Sequence, residues 1–431
     1  MRIFDGEAPA RFGWLPPLLR PPQTMTRAQE RTFLLVGLAA LFAGFDQNVY
    51  GFAIPQIQAT LHIPENQIGL TVTWFRIATF AAMLVALTAD IVGRRRLLLF
   101  TIFGQAAFTL ATAFSQTYTQ FVWLQVLTRV FGYAEEMLCY VVIVEEVAAG
   151  ARGWAAGTLA GMTYTGAGLA ALFFAAVNIL PGHWRALYVI GGASMLFVAF
   201  LRRSLPETKR FQVRHEEVEK LQSRIAGTFD LVTRIFRDYP VRILLILIAV
   251  GAWGFSIGPA TVLAASYLQK TLGFAPWQTT ALLIPGGLLA LWLNIMMGRV
   301  SDRLGRKRVI ILMMIVSGAA YAGFFSGLRG WAIPPLWVIA FFGFFTADSL
   351  VRGMSVELVP TAYRATMGGI AYCVEVFSGG IALGLEGVWY DRFHAHGPAI
   401  ALALLAIPIS LIALLFLPEP AGRTLEDISH T

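Results

Sequence analysis

The 431-residue chain is 57% hydrophobic and 13% charged, with a mean hydropathy of +0.66. A soluble domain carries about 25% charged residues, so water is excluded as the solvent for most of this surface. The net charge of +8 sits between apolar runs rather than on one patch, which reads as membrane topology and not as a nucleic-acid-binding face.

Residues 1–31 are rich in proline and arginine and lack the apolar core and cleavage site of a secretory signal, which predicts a cytoplasmic N-terminal tail. Apolar spans follow near 33–57, 68–89, 97–114, 120–144, 154–178 and 185–201. Each is of the order of the ~20 residues that cross a bilayer core. The polar stretch 202–240 is a cytoplasmic linker, an amphipathic surface helix or a flexible tether. Six further spans lie near 241–268, 278–297, 309–327, 333–351, 367–387 and 399–417, with a C-terminal tail over 418–431. The expected fold is all-α, with twelve transmembrane helices in two pseudosymmetric six-helix bundles, 32–201 and 241–417.

Lysine and arginine set the orientation. Arg94, Arg95, Arg96, Arg152, the linker, Arg303, Arg306, Lys307, Arg308 and Arg364 occupy alternate connections, placing both termini in the cytoplasm. Cys139 and Cys373 lie in apolar stretches, so no disulfide framework or metal cluster is implied. His62, His183, His394 and His396 fall near predicted external loops without a nucleophile or ligand pattern. No glycine-rich phosphate loop follows a strand. An enzyme and a nucleotide-driven pump are therefore disfavoured, and no cofactor is expected.

An internal repeat governs the rest. Asp90, Gly93 and Arg94–Arg96 recur as Asp302, Gly305 and Arg306–Arg308, an offset of 212 residues (302 − 90). Glu145 and Arg152 recur as Glu357 and Arg364 at the same offset, as does Leu205-Pro206-Glu207 in Leu417-Pro418-Glu419. A duplicated six-helix unit is how carriers build a site between two halves.

These loops resemble the major facilitator superfamily over residues 30–425. Gly298, Asp302, Arg303, Gly305 and Arg306 match its loop pattern, while the first copy has Ala86 and Ile91 at two of the pattern positions. Glu357, Pro360 and Arg364 match the Glu-x-x-Pro-x-x-x-Arg pattern of its sugar-porter and metabolite:proton symporter branches, with Ala148 replacing the proline in the first half. The resemblance implies that these loops gate the cytoplasmic side, and that the protein is a monomer in the inner or plasma membrane. By their chemistry alone, the loop aspartates can cap helix N-termini and the arginines can also serve as positive-inside anchors.

Charges inside apolar spans cost about 2.5–3.5 kcal/mol each on insertion scales, which makes each a functional candidate. Asp46 lies beside Gln47 and Asn48 and resembles the first-helix acidic motif of aromatic-acid:proton symporters, with Ala43 in place of its first acid. Glu135 and Glu136 lie in the fourth span, Glu136 mapping onto Asp348, and Glu375 lies in the eleventh with Glu386. Asp46, Glu135, Glu136, Asp348 and Glu375 are proton-coupling candidates, while Glu375 and Glu386 add acidity that a cationic substrate would favour unless Glu386 simply reaches the outer interface. Arg129 shares a face with Glu136, and Arg352 follows Asp348 at i+4, so structural ion pairs are the alternative. Arg76 either binds a carboxylate-bearing substrate or pairs with Asp46. Trp253, Phe255, Tyr267 and Tyr372 either line a central cavity or simply pack.

The reading is a secondary active transporter taking up a small polar organic solute, an organic acid ahead of a sugar or polyol, coupled to protons by alternating access. A facilitator, an organic-cation or drug exporter, and a transporter-like nutrient sensor are the alternatives. The expected partners are the lipid bilayer, a small-molecule substrate and the proton.

Overall fold

The computed structural model describes residue 21 and residues 25–88, 93–146, 152–203, 233–360 and 364–419. Among them the regular elements are helical, and twelve spans follow one another: α1 (Arg27–Leu61), α2 (Gln67–Leu87), α3 (Arg94–Ala113), α4 (Tyr118–Glu146), α5 (Arg152–Ala175), α6 (Trp184–Arg202), α7 (Pro240–Lys270), α8 (Pro276–Leu304), α9 (Arg306–Phe324), α10 (Ile333–Glu357), α11 (Arg364–Phe393), and a twelfth made of α12 (His396–Leu404) and α13 (Ile407–Phe416). Local chemistry sets several ends. Thr26 and Gln29 cap α1 reciprocally, side chain to backbone at 2.9 and 3.3 Å. Prolines open α7 and α8 at the first turn, where no donor is lost.

Ten of the spans are long and apolar enough to cross a membrane by length and composition. The other two long helices are α4, which carries Arg129, Glu135 and Glu136, and α8. Phe100, Trp123, Phe197, Leu244, Leu288 and Phe416 are each more than half exposed. So much outward apolar surface is stable only if lipid covers it.

The helices sort into two compact units, residues 1–57 with 78–222, and 58–77 with 223–431. The end of α1 and the first half of α2 are thus packed in the second unit, a segment the sequence reading assigned to the first bundle. Within each unit the same pair of helices crosses through glycine. A methyl group on Gly166 of α5 would lie 1.8 Å from the Leu41 carbonyl of α1. One on Gly258 of α7 would lie 2.9 Å from Gly379 of α11. Small residues let backbones touch where no apolar driving force between helices exists.

The repeat is also visible in the backbone. Gly93 before α3 has φ 98° and ψ 140°, and Gly305 before α9 has φ 99° and ψ 134°. Only glycine enters that region without strain. The α8–α9 reversal is therefore built from Gly305, as its motif predicts. Its helix cap comes from elsewhere: the Glu419 carboxylate accepts the backbone N–H groups of Arg306 and Lys307 at 2.9 and 3.1 Å. A carboxylate at a helix N-terminus meets both the orphan donors and the positive end of the dipole.

Candidate functional site

In the first unit, α1, α3 and α4 bring three polar groups together. Asp46 is 1% exposed, and its Oδ1 accepts the Thr109 hydroxyl at 3.1 Å. Arg129 of α4 engages the backbone beside this carboxylate. Its guanidinium donates to the Gln47 carbonyl at 3.0 Å and, longer, to the Asp46 carbonyl at 3.4 Å. Gln47 in turn donates from Nε2 to Glu136 Oε2 at 3.2 Å, while Asn48 is spent on the Gly44 carbonyl at 2.8 Å. The candidates Asp46, Gln47, Arg129 and Glu136 thus form one connected network, and Asn48 is turned back onto its own helix.

Glu135 lies elsewhere. It pairs with Arg202, both side chains 1% exposed, and accepts the Thr101 hydroxyl at 2.5 Å and the Cys139 thiol at 3.3 Å. Arg202 also donates to the Leu35 carbonyl at 3.1 Å. These contacts tie Glu135 to α3, α4 and α6. Arg202, placed in the linker by the sequence reading, is the last residue of α6 and fully buried.

In the second unit, α10 and α11 hold a carboxylate–guanidinium–carboxylate cluster. Arg352 donates to Glu375 from Nε and Nη2 at 2.9 and 2.8 Å and lies 3.1 Å from Asp348. Its guanidinium also sits over the Tyr372 ring at 5.2 Å. The Arg352 side chain remains 41% exposed against 10% for Glu375, so it is the accessible member. Trp253 is buried and stacks on Phe344 at 6.3 Å. Asp348, Glu375 and Tyr372 are thus brought together, with Arg352 as a site residue signalled only by its i+4 spacing from Asp348.

Three substrate candidates are engaged elsewhere. Tyr267 ends α7, where its ring packs on Phe325 at 4.7 Å and its hydroxyl accepts the Gly327 N–H at 3.0 Å. It closes a helix end rather than lining the Arg352 cluster. Phe255 meets Trp389 edge to face at 6.4 Å. Arg76, read as a substrate ligand or an Asp46 partner, donates to the Val376 carbonyl at 2.9 Å and lies against Gly379 and Gly380 of α11.

At the loops, Arg306 pairs with Glu357 at 3.0 Å and Arg95 donates to the Arg203 carbonyl at 2.7 Å. Arg94 is buried, whereas Arg303 is exposed. Gly298 lies within α8, whereas Asp90, the linker Leu-Pro-Glu copy, and the side chains of Glu145, Arg152, Asp302 and Arg364 lie outside the described residues.

Among the described residues, twelve helical spans with outward apolar surface, a duplicated loop geometry and acid–arginine contacts in each unit describe a polytopic membrane transporter. The family model of the Major Facilitator Superfamily matches residues 36–293 and 286–429, and the chain belongs to that family. A putative metabolite transport protein of Haemophilus influenzae is 27% identical over 91% of this chain and 97% of its own. The cis,cis-muconate transport protein of Acinetobacter baylyi is 25% identical over 87% and 90%. The crystal structure of a D-xylose–proton symporter superposes with a TM-score of 0.72 over 92% of this chain and 99% of its own, at 16% identity, which shows the common fold. The protein is an integral membrane transporter of this superfamily.

Proposed function

We propose that the protein is a proton-coupled carrier of a small organic acid in the cell membrane, working as a monomer with both termini cytoplasmic. One observation carries this reading: in the second unit Asp348 and Glu375 share the Arg352 guanidinium, and in the first Asp46 is a buried acid whose backbone carbonyl Arg129 reaches. A carboxylate and a guanidinium satisfy each other until a proton neutralises the acid. The freed guanidinium then offers its fork of donors to a substrate carboxylate. Proton binding and solute binding are coupled because the acid and the solute carboxylate compete for one arginine, and the proton withdraws the acid from that competition. The name of the Acinetobacter baylyi relative, a transporter of a dicarboxylate, supports the substrate class.

The test is uptake of small organic acids into proteoliposomes with an imposed pH gradient. Wild-type protein accumulates the acid when the outside is acidic, and Asp46→Asn loses accumulation while still exchanging solute. Uptake indifferent to the gradient would sink the coupling. A second reading has one observation in its favour, since two acids share Arg352 in the second unit and their surplus charge suits a cationic solute. Thermal stabilisation by organic cations, with none by acids, would select it.

A further inference from the structure

The segment 58–77 is seated in the second unit by a regular seam. From Asn66 to Arg76, α2 runs antiparallel along α11. Asn66 donates to Asp391 at 2.9 Å, Thr73 to the Gly380 carbonyl at 2.7 Å, and Arg76 to the Val376 carbonyl. Between these bonds the backbones touch: a methyl group on Gly69 would lie 1.8 Å from the Leu383 carbonyl, and one on Gly387 2.0 Å from the Asn66 carbonyl.

At the end of this seam, remote from the Gly305 loop, lies a cluster that the transport reading does not use. His396, the first residue of α12, is 7% exposed, and Glu386 of α11 is fully buried. The imidazole Nδ1 is 2.7 Å from Glu386 Oε1, and Nε2 is 2.9 Å from Glu65 Oε1 in the α1–α2 connection. Lys270, at the end of α7, lies 2.7 Å from Glu65 and also donates to Gln58. The Tyr390 ring covers the imidazole at 4.7 Å.

A neutral imidazole has one N–H and one lone pair. Facing carboxylate oxygens from both nitrogens, it leaves one contact without a hydrogen. The arrangement holds only with one further proton, carried by the ring or shared between Nδ1 and Glu386. With it, two acids face two cations; without it, an unmatched negative charge is left buried. Among the described residues His396 and Glu386 make no further ion pair, and Arg392 and His394 at the end of α11 are exposed. Asp391 is taken by Asn66, α9 carries its charges at its other end in Arg306, Lys307 and Arg308, and Arg329 lies in the exposed turn that follows.

We infer that His396, Glu386 and Glu65 form a proton-binding site that latches the 58–77 segment onto α11, and that loss of this proton releases the seam. The site is separate from Asp46 and Asp348, and its action holds whatever solute is carried. With the termini in the cytoplasm it faces outward, so a proton arriving from outside closes that end of the carrier.

Hydrogen–deuterium exchange of peptides covering 58–77, in nanodiscs between pH 5.5 and 9 and corrected for intrinsic exchange, reads the latch directly. One linked proton changes the opening equilibrium by at most about tenfold per pH unit. Wild-type exchange should rise with pH on that slope. His396→Gln should be flat, and Glu65→Gln should move the midpoint to lower pH, because one of the two carboxylates favouring the proton is gone. A flat wild-type profile, a retained slope in His396→Gln, or an unmoved midpoint in Glu65→Gln would each overturn the proposal. Glu65 lies in a partly exposed connection, so its variant carries the test if His396→Gln does not fold.

Discussion

Gly305 and Glu419 show how much one residue decides. Gly305 sits at φ 99°, and a methyl group there would stand 3.0 Å from a Glu419 oxygen. Gly305→Ala should therefore cost about 1–3 kcal/mol, the range for a non-glycine residue held in a sparsely populated region. Glu419→Ala should cost about 1 kcal/mol through loss of its cap. Both are read as falls in melting temperature, and together they should be less than additive because the two residues touch. The glycine was legible in the sequence as half of a repeated loop. Its capping partner was not, since Glu419 lies more than a hundred residues on and joins the α9 N-terminus only through the fold. Tyr267 makes the same point in reverse: an aromatic on a central helix looks like a cavity wall until Phe324, Phe325 and the Gly327 N–H are seen to enclose it.

Between elements, buried charge is the most consequential contact. Glu135 and Arg202 join α4 to α6, and removing one partner strands the other in a low-dielectric interior. Glu135→Gln or Arg202→Met should each destabilise the protein by about 3–5 kcal/mol, and the double variant should recover much of that loss. Thermal melts of the three variants decide it. Recovery in the double variant marks a clamp; a transport defect that persists at full stability would return Glu135 to the proton-coupling set. At the α2–α11 seam, Glu65 gives a pH prediction with a definite sign. Burial opposes its charge, but hydrogen bonds from His396, Lys270 and Gln58 outweigh that and hold the carboxyl down at about 2. A depressed acid contributes stability above its ordinary value of 4.5 and loses it as pH falls towards 2. The melting-temperature gap between wild type and Glu65→Gln should therefore narrow over that interval.

For the molecule as a whole, duplication is the organising fact. The same glycine geometry opens α3 and α9, glycines seat α5 on α1 and α11 on α7, and acids meet arginines in both units. Evolution of two copies leaves one role to be shared or divided, and the units differ in how open their arginines are. Arg129 is 4% exposed, whereas the Arg352 side chain is 41% exposed. Arg352→Ala should accordingly abolish stabilisation by organic acids in a thermal-shift screen, while Arg76→Ala should lower the basal melting temperature and leave the ligand response in place. The opposite pattern would assign the substrate carboxylate to Arg76.

The sequence by itself determined the solvent, the number of spans and the duplication, because hydropathy and a fixed offset are properties of the chain that need no partner. It also picked out Asp46, Arg129, Asp348 and Glu375, since an ionised group in an apolar run is costly wherever it ends up. Only the tertiary structure decided which charges meet. Glu135 found Arg202, Arg352 found Glu375, and His396 found Glu65 across 331 residues of sequence. Hydrogen bonds need donor and acceptor about 3 Å apart and Coulomb attraction grows as the inverse of distance, so both depend on which side chains packing brings together rather than on order along the chain.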